Sequence, residues 1–281
     1  KSNKEKFVGA LYTATLESLM PDGKALQMAT SHNLGQNFSK AFEIKYVGRD
    51  EQEHYAWNTC WAISWRLIGA LIMVHGDDKG LVLPPRIAPI QIVIVPIFYS
   101  EEDKMKVLAK AKNVFSKLKK VKLSVELDDR PQYTPGWKFN EWEMRGVPLR
   151  IEIGPRDIQN NQVVAARRDS GEKIAIKDEE LTVAVRNLLK EIQKNLFEKA
   201  RKFLEEHITI VRSYDEFKKV LEEKGGFIKA CWCSSDFCEE KIKEETGATI
   251  RLIPFEKEEI FSSCIYCGKE ADKVAYFAKS Y

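Results

Sequence analysis

The chain has no run of 18 or more apolar residues, so no membrane-spanning helix is expected. It has no stretch with the charged, apolar and small-residue order of a secretory signal, and no internal repeat or low-complexity tract. It also has little net charge. Forty-five Lys and Arg against 42 Asp and Glu leave +3, too little to name a polyanionic partner but compatible with local basic faces. Cysteine is nearly missing from the first 230 residues: five of the six lie between 231 and 267, a clustering that points to a metal and away from a secreted disulfide framework. The expected compartment is the cytoplasm. The first residue is Lys1, not Met, and the opening KSNKEKF reads as that of a fragment or a processed piece. What is present is ordinary for a folded protein: 281 residues, 44% hydrophobic and 31% charged, enough for two or three domains.

Three segments are expected. The first, 1–86, is polar and Gly/Thr-rich, with strand candidates at 42–46 and 55–64, a helix after Arg66, and a Gly/Pro-rich break at 75–86. The second, 87–206, alternates strands and helices. IQIVIVPI (90–97) reads as a strand buried on both faces, and Val107, Leu108, Ala111, Val114, Phe115 and Leu118 fall at helical spacing. Strands at 121–127, 147–154 and 163–168, with helices at 136–146 and 178–206, imply a mostly parallel sheet. The third, 207–281, is a smaller α/β unit around the cysteines.

Cys233-x4-Cys238 and Cys264-x2-Cys267-Gly268 are two close pairs of thiols, the donor set of a closed, tetrahedral structural zinc; free buried cysteines are the alternative. Cys231 is two residues from Cys233 and beside Trp232, and is expected to point into the core. The stretch TSHNLGQNFSKAF (30–42) is too rich in side chains of fixed hydrogen-bond geometry for a plain loop and too polar for a core, so it reads as a polar ligand site or a hydrogen-bonded structural loop. If 26–32 is a strand, Gln27 and Thr30 differ in parity, and a bulge or turn is needed for both to face one ligand. Ser64 and Arg66 fall at the start of a helix, where a guanidinium suits a phosphate; a surface arginine is the alternative.

Together TSHNLGQNFSKAF, RLIGALIMVHGDDKGLVLPPRIAPIQIVIVPI, YTPGWKFNEWEMRGVPLRIEIGPRD and the terminal FAKSY resemble prolyl-tRNA synthetase of the archaeal and eukaryotic type, a class II enzyme. The resemblance covers essentially all 281 residues and implies a C-terminal part lacking motifs one and two. It implies a partial class II antiparallel-sheet catalytic domain (1–86), an α/β anticodon-binding domain (87–206) and a small α/β zinc domain (207–281), within a full-length homodimer. The family makes prolyl-adenylate from L-proline and ATP with Mg2+ and moves the prolyl group to tRNA-Pro. By similarity Gln27, Thr30, Ser64 and Arg66 contact ATP, Gln27 also lies near Mg2+, and His32 lines the proline pocket. Arg66 holds the terminal phosphates as the catalytic motif-three arginine. Glu143 and Arg150, with Lys173 nearby and Arg156 close, read the guanines of the anticodon; a helix-to-strand ion pair is the alternative. Tyr281 reaches back toward the catalytic site. Two positions depart from the family, Ala62 where Gly is usual and Trp65 where Thr is usual. With no motif-two arginine in these residues, the fragment alone is expected to be inactive. A zinc-containing tRNA-binding module without catalysis is the alternative, and another class IIa synthetase is not expected to carry this tail. The lysines at 104, 106, 110, 112, 117, 119, 120 and 122 are expected to form a mostly solvated helix face.

Overall fold

The computed structural model describes residues 1–281. The chain divides into two compact units, one formed by Lys1–Met73 with Lys202–Tyr281, the other by Val74–Arg201. Residues 1–73 of the first expected segment and the whole of the third therefore lie in one unit, whereas 74–86 fall in the other.

The first unit opens with β1 (Tyr12–Leu19), β2 (Ala25–Gly35) and α1 (Asn37–Ala41). A small ribbon of β3 (Lys45–Val47) and β4 (Glu53–Tyr55) leads to β5 (Asn58–Ile63) and α2 (Arg66–His75). Strands β1, β2 and β5 form an antiparallel sheet in that order. The polar stretch 30–42 is thus the end of a long strand followed by a short helix. The strand expected at 42–46 begins only at Lys45, because Phe42 caps α1 and Glu43 adopts a φ of +54°.

The second unit holds β6 (Ile92–Pro96), α3 (Glu101–Lys120), β7 (Val125–Leu127), α4 (Pro135–Met144), β8 (Leu149–Ile153), α5 (Pro155–Gln159), β9 (Gln162–Arg167), β10 (Lys173–Lys177) and α6 (Leu181–Glu206), whose last turn belongs to the first unit. The sheet order is β10-β9-β8-β6-β7. Only β7, β6 and β8 run parallel; β9 and β10 are antiparallel, so the sheet is mixed. A βαβ crossover needs a dozen or more residues, and the segments before β9 and β10 are too short for one. Helix α3 starts where the Ser100 hydroxyl accepts from the Asp103 amide, with three acidic residues in its first turn and lysines in its last. Thr134 caps α4 in the same way, with Pro135 at its first position. Ile92, Ile94, Leu149, Ile151 and Val163 pack against Val107, Ala111, Val114, Leu188 and Ile192 as the main core. The lysine face is not all solvated: Lys110 donates to the Gln162 carbonyl at 2.7 Å and pairs with Asp178 at 2.9 Å.

The remainder of the first unit is β11 (Ile208–Ile210), α7 (Tyr214–Glu223), β12 (Phe227–Trp232), α8 (Asp236–Thr246), β13 (Thr249–Leu252) and β14 (Lys273–Ala278), in a sheet ordered β11-β12-β14-β13. Its core holds Phe217, Ile228, Trp232, Ile250 and Phe277. Leu19 and Ala25 of the first sheet pack against Phe227 and Ala278 of the second. Glu17 ties the two sheets further. Its carboxylate is fully buried, takes the Arg251 guanidinium at 2.9 Å and 3.1 Å, and takes the Lys1 ammonium at 2.8 Å.

Candidate functional site

Three groups of expected residues can be located. In the first unit, the pairing of β1 with β2 slips between Leu16 and Glu17: Leu16 faces Ala29 and Glu17 faces Gln27, leaving Met28 as a one-residue bulge. The slip reverses the parity of everything after it. Gln27, Thr30 and His32 stand opposite Glu17, Thr15 and Thr13, which alternate along one face of β1, so all three share that face. The His32 Nδ1 lies 2.9 Å from the Thr13 hydroxyl, and its ring is 4.9 Å from that of Phe7. Ala62 pairs with Thr30 on the same face. Ser64 accepts from the Arg66 amide at 3.3 Å, and Arg66 stands exposed at the first position of α2. Tyr281 lies at the start of β2. The Ala25 amide donates to the Lys279 carbonyl at 2.8 Å, Lys24 sits 5.0 Å over the Tyr281 ring, and burial with a hydrogen bond to Asp22 pushes the phenol up to about 12. A largely apolar hollow of about 450 Å3 is lined mainly from the other face of this sheet, by Leu16, Ser31, Trp61, Ile63 and Phe255, and also reaches Thr30 and Ala62. Trp65 is exposed.

In the second unit, β8 alternates: Leu149, Ile151 and Ile153 enter the core, and Arg150 and Glu152 face the other way. Arg150 donates through Nη1 to Glu143 at 3.0 Å and through Nε and Nη2 to Glu152 at 3.1 Å and 2.9 Å. Lys173 donates to the other Glu152 oxygen at 2.8 Å. The Arg150 guanidinium lies 4.0 Å from the Phe139 ring centroid. Two carboxylates, two cations and an aromatic face thus meet in one network, with Arg150 only 9% and Glu152 6% exposed. Beside it, the Arg168 guanidinium clasps Asp77 and donates to the Glu143 carbonyl at 3.0 Å; the Arg168 hydrogen bonds hold the Asp77 carboxyl down to about 2. Glu143, Arg150 and Lys173 are brought together. Arg156 is exposed on α5 and takes no part in the network. Glu152 and Phe139 did not emerge from sequence reasoning. Glu152 was accessible to it, because in RIEIG a residue two positions after Arg150 must share its face.

The third group is the cysteines. The Sγ atoms of Cys233, Cys238, Cys264 and Cys267 all lie within 4.8 Å of one another. Cys233 is 3.6 Å from Cys238 and 3.8 Å from Cys267. Tetrahedral zinc–thiolate bonds of about 2.3 Å place sulfurs roughly 3.8 Å apart, so the donor set fits that metal. Gly268, at a φ of +69°, lets its amide turn back onto the Cys264 carbonyl at 3.0 Å. Burial pushes the Cys233 and Cys238 thiols up, whereas the Lys269 amide holds Cys267 down to about 7. Cys231 is buried in β12, apart from the four.

Residues 91–195 match the family model for an anticodon binding domain, and residues 214–281 match that for the C-terminal part of prolyl-tRNA synthetase. Over all 281 residues the chain is 55% identical to a proline–tRNA ligase of Alkaliphilus oremlandii, 53% to proline–tRNA ligase 2 of Clostridioides difficile and 51% to a proline–tRNA ligase of Cenarchaeum symbiosum. It spans 58% of the length of each of these relatives. From end to end, the chain is thus similar to a C-terminal portion of prolyl-tRNA synthetases.

Proposed function

We propose that these residues serve a proline–tRNA ligase, which activates L-proline with ATP and transfers it to tRNA-Pro. The observation that carries this reading is the end-to-end likeness to ligases, together with the convergence of Glu143, Arg150 and Lys173 on one surface. In this reading 1–86 is part of a class II catalytic domain, 87–206 the anticodon-binding domain and 207–281 the zinc domain, in a cytoplasmic enzyme whose full-length form is a homodimer.

Gln27 and Thr30 would contact ATP from one face of β2, with Ser64 and Arg66 at the β5–α2 junction. Arg66 would neutralise the terminal phosphates, and His32, steadied by Thr13, would line the proline pocket. The proline carboxylate attacks the α-phosphate, so no protein nucleophile is needed; the side chains align the reactants and offset charge. Magnesium, when bound with ATP near Gln27, supplies further charge neutralisation on the phosphates. Tyr281, beside Lys24 and next to Ser280, which bridges Ala25 at the start of β2, would bring its carboxylate toward that face.

Single-stranded bases are read by their edges and by stacking. The Glu143 carboxylate would accept from the N1/N2 edge of an anticodon guanine and Arg150 would donate to O6 or N7. Arg156, on α5, would add a backbone contact. The four cysteines would hold zinc, which cross-links the loop after β12 to the segment before β14 and contributes folding energy, not chemistry.

Proline-dependent pyrophosphate exchange tests the catalytic part. A gene product of the relatives' length containing these residues is expected to catalyse it and to lose it on Arg66→Ala. The 281-residue polypeptide alone, with no motif-two arginine, is expected to bind tRNA-Pro without exchange. If exchange is absent from the longer product too, a non-catalytic tRNA-binding module replaces the ligase reading.

A further inference from the structure

Outside the carboxyl ends of β6 and β7 lies a cleft of about 580 Å3. Its walls are Pro96, Phe98 and Tyr99 on one side and Arg130, Tyr133 and Phe139 on the other. The place is a topological switch point: from β6 the chain passes to β7 on one side, and from β7 to β8 on the other. Ligands of α/β sheets gather at such crevices.

The cleft is built as a stacking platform. The Tyr133 ring is backed by Trp137 in parallel at 3.8 Å and an interplanar angle of 9°. The Arg130 guanidinium sits 4.8 Å from the Tyr133 centroid and 5.3 Å from that of Trp137. Arg130 is itself fixed by Asp128, at 2.8 Å through both Nε and Nη2, and by Glu141. Tyr99 is 88% exposed on the opposite rim. The cations here are spent: Arg130 is paired twice, and Lys138 is buried with its ammonium on the Asp128 carbonyl. Gln132 and Thr134 also line the cleft, but its flat surfaces are aromatic rings, which suit a π-face of any identity.

Phe139 supplies the location. The same ring lines the cleft and carries the Arg150 guanidinium, so the cleft adjoins the Glu143–Arg150 network. The unit is also the basic one, with 24 Lys and Arg against 19 Asp and Glu between Val74 and Arg201. We propose that this cleft takes an unpaired RNA base next to the guanines read by Glu143 and Arg150, stacking it on Tyr133 whatever its identity. The proposal rests on the anticodon-binding reading above and adds to it a second, sequence-tolerant subsite.

The test uses the 281-residue chain and RNA hairpins with a seven-nucleotide loop presenting UGG, with 2-aminopurine placed in turn on either side of the two guanines. One of the two probes is expected to be quenched on binding. Tyr133→Ala is expected to abolish that quench and to weaken binding about tenfold, equally for all four bases at that position. Tyr133→Phe is expected to keep both, and Glu143→Ala to keep the quench while losing the preference for guanine. If the hairpin binds with guanine preference but neither probe responds, or if Tyr133→Ala leaves the quench intact, the stacking subsite is wrong and the anticodon reading stands. If the chain does not bind the hairpin at all, both fall.

Discussion

Arg150 donates to Glu143 across 3.0 Å, from the middle of a buried strand to the last turn of a helix. The pair is the ion pair that sequence reasoning offered as an alternative to base readout, yet its surroundings also suit a reader. Glu152 also accepts from Arg150, so Arg150 keeps a carboxylate partner without Glu143. Glu143→Ala is expected to cost about 1–3 kcal/mol of discrimination between guanine and adenine in the anticodon, with little change in melting temperature. Binding of hairpins with and without the guanines, titrated side by side, checks this; equal weakening for both would contradict it.

Asp128 is buried beneath the Arg130–Tyr133–Trp137 platform. Burial alone would raise its carboxyl, but hydrogen bonds from Arg130 and the Trp142 indole hold it down to about 2, below the ordinary value of 3.8. A depressed carboxyl contributes stability that is present above the unfolded-state value and lost as pH falls through the folded one. Unfolding measured between pH 4 and 2 is therefore expected to show a steep loss in the native chain and a shallower one in Asp128→Asn. The substitution itself is expected to cost about 1–3 kcal/mol at neutral pH, because it removes a carboxylate from Arg130, which keeps Glu141, and from the buried Lys138, which keeps the backbone carbonyl of residue 128. An unchanged acid limb would contradict the assignment.

The Glu17–Arg251 pair joins the sheet bearing Gln27 to the sheet bearing the cysteines. Glu17→Gln is expected to destabilise by about 3–5 kcal/mol, since it leaves the buried Arg251 without its carboxylate, Arg251→Met by less, since Glu17 keeps Lys1, and the double variant by less than their sum. Denaturant unfolding of the four proteins gives the coupling energy; strict additivity would mean that the pair does not hold the sheets together.

Zinc content separates the five clustered cysteines. One zinc per chain is expected in protein purified without chelator, retained in Cys231→Ala and lost in Cys238→Ser. Chelation is expected to lower the melting temperature of the native chain. Metal retained in Cys238→Ser, or absent from the native chain, would remove the site.

The parts legible in the sequence were those with one strong physical cause. The unbroken apolar run of β6 admits only a strand buried on both faces, and the helical spacing from Val107 to Leu118 admits only an amphipathic helix. Four thiols in two close pairs suggest a metal-donor set before any fold is known, and the structure brings their sulfurs within 4.8 Å of one another. Strand direction was not legible, because β9 and β10 bury apolar residues as parallel strands do, and only the short connections betray the antiparallel turn. The need for a bulge between Gln27 and Thr30 could be stated from parity, but its place at Met28 is set by pairing with β1, a strand whose Thr and Glu content hid it. Glu152 was hidden for a different reason: a carboxylate in a strand looks solvated until the arginine and lysine that neutralise it are seen on either side.

The central claim is that this surface belongs to a tRNA-Pro binder, and competitive binding of full-length tRNAs to the 281-residue chain tests it most directly. The account predicts that tRNA-Pro with its UGG anticodon binds at least about tenfold more tightly than the same tRNA with both guanines replaced by adenine, and that Arg150→Ala erases the difference. Equal affinity for the two tRNAs in the native chain would contradict it.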